Sequence, residues 1–118
     1  MSTDPDLLRA ALEPVVLDAI GGGATYGYEI ARAIKQNSQG QLLPQEGTLY
    51  PALHRLEKRG YLRAHWRESP EGRRRKHYAL TAAGKMRLET LRTQWQQFSS
   101  IVNRMLGMAR VQFCPCPA

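Results

Sequence analysis

Four consecutive cations, Arg73-Arg74-Arg75-Lys76, form the densest cluster of chemically active side chains in this sequence. Guanidinium and ammonium groups packed this closely suit a polyanion, and each phosphate they neutralise on a duplex releases condensed counterions. The charge along the chain rises towards them. Residues 1–40 hold three Lys/Arg against five Asp/Glu, residues 41–81 nine against four, and residues 82–118 five against one. The total is +7 over 118 residues. Basicity concentrated on one segment is the electrostatic footprint of a nucleic-acid partner.

Catalytic and metal chemistry have no comparable footing. His54, His65 and His77 fall on one helix and two strands, with no Cys, Asp or Glu at metal-ligand spacing. His65 and His77 are placed to face each other across a hairpin. No Ser/His/Asp or paired-carboxylate pattern stands out, so neither an enzyme nor a cofactor is expected. The run GGGATYG lacks the spacing of a phosphate loop and follows no strand. Cys114 and Cys116 offer no disulfide framework and no four-ligand zinc site of their own. No apolar run reaches the ~18 residues that span a membrane. The start, MSTDPDLLR, is too acidic for a secretory signal. A cytoplasmic location is the expectation.

The elements that must hold the cations follow from periodicity. Leu8, Leu12, Val15, Val16, Ala19 and Ile20 predict a helix over Leu7–Ile20, capped by Asp4 or Asp6. Pro14 either kinks it or marks a later start. A second helix is expected over Tyr26–Asn37, with Thr25 as N-cap and Ile30, Ala31 and Ile34 inward. A third runs from Glu46 to Arg59 on a core stripe of Leu49, Leu53 and Leu56, stopped by Gly60. Thr48, Tyr50, Pro51, His54 and Arg55 lie off that stripe and face outward. Leu62–Glu68 and Arg75–Leu80 alternate as strands around the turn Ser69–Gly72, with Leu62, Ala64 and Trp66 sharing one face. Thr81 then caps a last helix from Ala82 to about Ala109. Leu88, Leu91, Trp95, Phe98, Val102, Met105 and Ala109 are spaced 3-4-3-4-3-4, a seam that wants a second copy of itself.

The fold class is therefore mainly α with a small β-hairpin: a winged helix-turn-helix domain over residues 1–81, a long C-terminal dimerisation helix over 82–110, and a flexible tail over 111–118. In such domains the second helix of the motif enters the major groove of DNA, and the wing lies on the backbone or in the minor groove.

The segments GTLYPALHRLEKRGYL and EGRRRKHYALTAAG, with YGYEIARAI upstream, resemble the PadR family of bacterial transcriptional regulators over roughly residues 7 to 107. The single last helix and Trp95 are similar to its short subfamily, which includes multidrug-responsive repressors. The resemblance implies homodimers that bind palindromic promoter sites, repress a neighbouring gene and are released by a small molecule. It also implies that the first helix packs on the partner's last helix. By matched position it implies recognition contacts at Gly47, Thr48, Tyr50, Pro51 and His54, to which the outward Arg55 is added. Tyr26, Tyr28 and Lys35 would lie near phosphate, and Arg73, Arg74, Arg75 and Lys76 would form the wing.

Alternatives stand beside these roles. Tyr50 either reads DNA or packs between helix and hairpin, and Tyr26 and Tyr28 are either phosphate neighbours or core-edge aromatics. The expected dimer interface is Leu8, Leu12, Leu88, Leu91, Trp95, Phe98, Val102 and Met105. Two Trp95 rings either fill that seam or sandwich a flat aromatic molecule, walled by Leu8, Leu12 and Phe98. Glu89 is the one acid among five basic residues from Ala82 onward. That balance departs from relatives that favour cationic compounds. A rival reading, a protein-interaction module built on the last helix, leaves the four cations without a purpose.

Overall fold

The computed structural model describes residues 4–108. Three helices lead into a hairpin and a fourth helix: α1 (Pro5–Gly21), α2 (Gly27–Asn37), α3 (Glu46–Lys58), β1 (Leu62–Glu68), β2 (Arg74–Leu80) and α4 (Ala82–Met105). The chain divides into one compact unit running to Leu88 and a second beginning at Glu89.

Asp4 starts α1, its carboxylate accepting the Asp6 N–H at 2.8 Å. Pro5 takes a first-turn position, where its missing donor is no loss. The helix is continuous past Pro14, so that proline marks no later start. Leu12, Val16, Leu17, Ala19 and Ile20 are buried along one side. Ile30 and Ile34 of α2 and Leu49, Ala52, Leu53 and Leu56 of α3 close around them. Each fully buried Leu or Ile contributes about 1.5–3 kcal/mol by leaving water.

The start of α2 differs from expectation. Its N-cap is Tyr26, which gives no side-chain cap bond. Thr25 instead donates its N–H and its hydroxyl to the Glu29 carboxylate, both at 3.0 Å. Glu29 thus reaches back from the first turn and satisfies the entering chain. The end of α3 matches its signals: Arg59 caps it, and Gly60 adopts φ +85° just beyond.

The strands pair antiparallel with Leu62 opposite Leu80, Ala64 opposite Tyr78 and Trp66 opposite Lys76. Leu62 and Tyr78 are buried, yet Trp66 on the same face is 56% exposed. The hairpin outruns the core, so the inward parity of Trp66 leads to open cleft rather than interior. Tyr26 bridges His77 across β2, and the Tyr78 N–H donates to the Thr25 carbonyl at 2.7 Å.

Thr81 joins the wing to α4. Its hydroxyl accepts the Gly84 N–H at 3.0 Å and donates to the Gly60 carbonyl at 2.6 Å. A β-carbon on Gly84 would collide with the Tyr61 carbonyl oxygen, so glycine permits this approach. The helix stops at Met105 rather than near Ala109, and Gly107 follows at φ +76°. Ala109 and the tail with Cys114 and Cys116 lie outside the described residues.

Candidate nucleic-acid interface

The front of α3 is open. Glu46, Gly47, Tyr50, Pro51, His54 and Arg55 are exposed and Thr48 is half-buried, while the leucine stripe behind them is sealed. Tyr50 is packed and exposed at once. Its ring packs on α2 in the space left by Gly27, and it remains 47% exposed. The ring thus rests against α2 with about half of its surface open.

The four wing cations do different things. Arg73 sits at the turn, its N–H donating to the Ser69 hydroxyl at 3.2 Å and its side chain exposed. The Arg74 guanidinium lies 5.4 Å from the Trp66 ring centre. Arg75 stacks on Tyr26 at 4.5 Å and pairs with Glu71 at 3.4 Å. Lys76 donates to the Glu57 carboxylate at 2.9 Å, tying the wing to α3. That hydrogen bond holds the ammonium above the usual lysine range. Lys76 is thus a strut between wing and helix, and its charge is already met within the chain. Arg73 and Arg74, both exposed, carry the outward charge.

On the far side of the hairpin His65 and His77 stack with ring centres 6.0 Å apart. The His77 Nδ1 lies 2.9 Å from the Thr25 hydroxyl, which itself donates to Glu29. Burial lowers the His77 pKa, and Arg67 and His65 add to the effect. The Thr25 N–H holds Glu29 below the usual carboxylate range. No group of three potential metal ligands occurs among the described residues.

Tyr26, Tyr50, Arg74, Arg75 and Lys76 come together around one cleft of about 310 Å3. Trp66 and Tyr78 also line it; sequence reasoning gave neither a role there. Tyr28 and Lys35, exposed on α2, border a separate depression of about 380 Å3 with Arg32 and Leu43.

The expected interface residues separate into two groups. Leu12 and Leu88 are 1% and 6% exposed inside the first unit. They are core residues of their own chain and leave no surface for a partner or ligand, which corrects both assignments for Leu12 and the seam assignment for Leu88. Leu8, Leu91 and Val102 are half-buried. In the second unit Trp95, Phe98 and Met105 are exposed, and the Trp95 and Phe98 rings lie 6.4 Å apart. Ile101, Leu106 and Met108, which the seam spacing passed over, are exposed there too. No helix among the described residues is long and apolar enough to cross a membrane.

Residues 16–90 match the model of the transcriptional regulator PadR-like family. That stretch takes in α2, α3, the wing and the start of α4. The chain belongs to the PadR-like family. A PadR-like transcriptional regulator from Bacillus cereus is 30% identical, with a TM-score of 0.70 over 86% of this chain and 96% of its own. A transcriptional regulator from Clostridium thermocellum superposes with a TM-score of 0.76 at 29% identity, covering 84% of this chain and 96% of that one. An uncharacterised protein of Lysinibacillus sphaericus is 32% identical over 98 residues, 83% of this chain and 90% of its own length. PadR-like proteins are DNA-binding regulators of transcription, not enzymes, and the winged helix-turn-helix fold described above is theirs.

Proposed function

We propose that this PadR-like protein is a homodimeric repressor that binds a palindromic promoter site in the cytoplasm. The observation that carries this reading is the shared outer surface of α3 and the wing. Tyr50, Pro51, His54 and Arg55 stand forward of a sealed leucine stripe, and Tyr50 lines one cleft with Arg74 and Arg75 of the wing. A major groove about 12 Å wide accepts one such helix. His54 and Arg55 reach base edges, Gly47 allows close backbone approach, and Tyr26, Tyr28 and Lys35 contact phosphate. Arg73, Arg74 and Arg75 follow the backbone beside the groove.

The dimer forms through the second unit. Trp95, Phe98, Ile101 and Met105 expose from 46% to 80% of their surface. An apolar face of that extent on a single helix calls for a covering surface, and the 3-4 spacing of Trp95, Phe98, Val102 and Met105 beside it suits an identical helix. A flat aromatic molecule between two Trp95 rings would bind the DNA-competent and incompetent arrangements unequally and so shift their populations.

Footprinting on the DNA upstream of the protein's own gene tests the reading. Two protected half-sites about one helical turn apart (~34 Å) are expected. Protection of a single half-site, or of none, contradicts a dimeric operator-binding protein.

A further inference from the structure

His77 stands where β2 meets the start of α2. Its backbone pairs with Tyr26, and the neighbouring Tyr78 N–H donates to the Thr25 carbonyl at 2.7 Å. Its ring lies 5.3 Å from the Tyr26 ring, on which the Arg75 guanidinium also rests. A hydroxyl has one proton to give, and Thr25 gives it to Glu29 at 3.0 Å. Towards His77, 2.9 Å away, that hydroxyl can only accept. Nδ1 therefore carries the proton of the neutral ring, and an added proton goes to Nε2. The bond to Thr25 survives that step; what changes is the charge at the junction.

The charges facing the ring are unbalanced. Arg67 and His65 approach it from β1, Arg75 from β2, and one carboxylate, Glu29, from α2. The residue is half-buried, so an imidazolium there gives up part of its hydration. Burial, then Arg67 and His65, hold the His77 pKa below the ordinary histidine range, with Glu29 opposing them. An open junction returns the ring to water and to its ordinary proton affinity. The open form then binds the proton more tightly, so acid favours it.

We propose that the contact between β2 and the start of α2 is a proton-sensitive latch: proton uptake by His77 releases Tyr26 from β2 while the helical core stays folded. Other ties keep the hairpin on the domain. Lys76 holds Glu57 of α3, and Leu62 and Tyr78 lie in the core. Arg75 loses its seat on Tyr26 when the latch opens. DNA affinity should then fall in mild acid. That consequence rests on the DNA-binding reading; the latch does not.

Hydrogen exchange resolved to single amides of the full chain tests the latch from about pH 7.5 to about pH 5, across the histidine range. The readout is the exchange rate of the Tyr78 amide divided by that of Leu17 in α1 at the same pH, which cancels the intrinsic effect of pH. The ratio should rise at least about threefold in acid. His77→Asn keeps a donor to Thr25 without a titrating ring, and its ratio should stay flat. His65→Asn removes a repelling charge and should shrink the rise. Glu29→Gln removes the attracting charge, keeps an acceptor for Thr25, and should enlarge it. A flat ratio in the unaltered chain, or an equal rise in His77→Asn, overturns the proposal. Duplex binding over the same pH range should weaken in the unaltered chain and not in His77→Asn. Acid that strengthens binding through His77 would mean that the added charge meets phosphate, and overturns the latch. A protein that shows the expected exchange yet binds no duplex at any pH supports the latch and overturns the DNA reading.

Discussion

The ring of Tyr50 occupies the place where a side chain on Gly27 would be. A β-carbon added to Gly27 would stand 2.5 Å from the Tyr50 hydroxyl oxygen and 2.7 Å from the ring edge. One glycine on α2 therefore sets the position of an exposed aromatic on α3. Gly27→Ala should destabilise the first unit by about 1–3 kcal/mol through overpacking. It should also displace Tyr50 and weaken DNA binding. Chemical denaturation of Gly27→Ala, and of Gly27→Ala with Tyr50→Ala, checks this. The second substitution should restore much of the lost stability, and an unchanged midpoint in the single variant would show that the ring moves without cost.

The wing cations should separate by assay. Arg73→Ala and Arg74→Ala should weaken all duplexes alike and flatten the salt dependence, because each phosphate contact contributes about 0.9 to the slope. Lys76→Ala should leave most of that slope in place. It should lower stability by at most about 1 kcal/mol, since the Glu57 pair is about one-third exposed on each side and solvent screens it. Equal slope changes for all three would contradict the strut assignment.

His54→Ala should weaken the operator more than a shuffled duplex, by about 1–3 kcal/mol for a lost base contact. Equal losses on both duplexes would move His54 to the backbone.

Acid should destabilise the fold in two stages. The pKa values of His77 and Glu29 are both lowered in the native state, so the unfolded chain binds more protons than the folded one. Stability then rises with pH wherever these groups titrate. It is complete above the unfolded histidine range of about pH 6.5. It declines first as His77 protonates and again below about pH 4.3 as Glu29 does. Thermal melts from pH 8 to pH 4 check the sign. His77→Asn should remove the first decline, and its persistence would contradict the assignment.

Phe98→Asp should separate dimer from domain. A carboxylate on the exposed apolar face should lower the sedimenting mass towards that of a single chain and reduce operator affinity, while the first unit keeps its melting behaviour. A variant that stays dimeric would place the interface elsewhere.

Much of this fold is legible because local signals agree. Leu49, Leu53 and Leu56 at helical spacing, followed by Gly60, mark α3, and strict alternation marks β1. What escapes is tertiary. The Thr25 cap fails because Glu29 reaches back for both Thr25 donors. Trp66 has the correct parity but lies beyond the end of the core. Leu12 and Leu88 fit a seam and an interior equally well, since both repeat every three or four residues; only packing shows that they belong to the interior. Sequence equally fails to reveal that Lys76 is already engaged by Glu57, nineteen positions away. That four adjacent cations suit a polyanion is legible as chemistry; the division of labour among them is not.

Under the proposed function α3 and the wing form a sequence-reading DNA surface. Fluorescence anisotropy with the protein's own upstream DNA and a shuffled duplex, across a salt series, tests it most directly. Tight binding that prefers the native duplex is expected, with log affinity falling against log salt at a slope near −7 for about four phosphates per protomer. Absence of binding to either duplex at low salt would contradict a DNA-reading role for this surface.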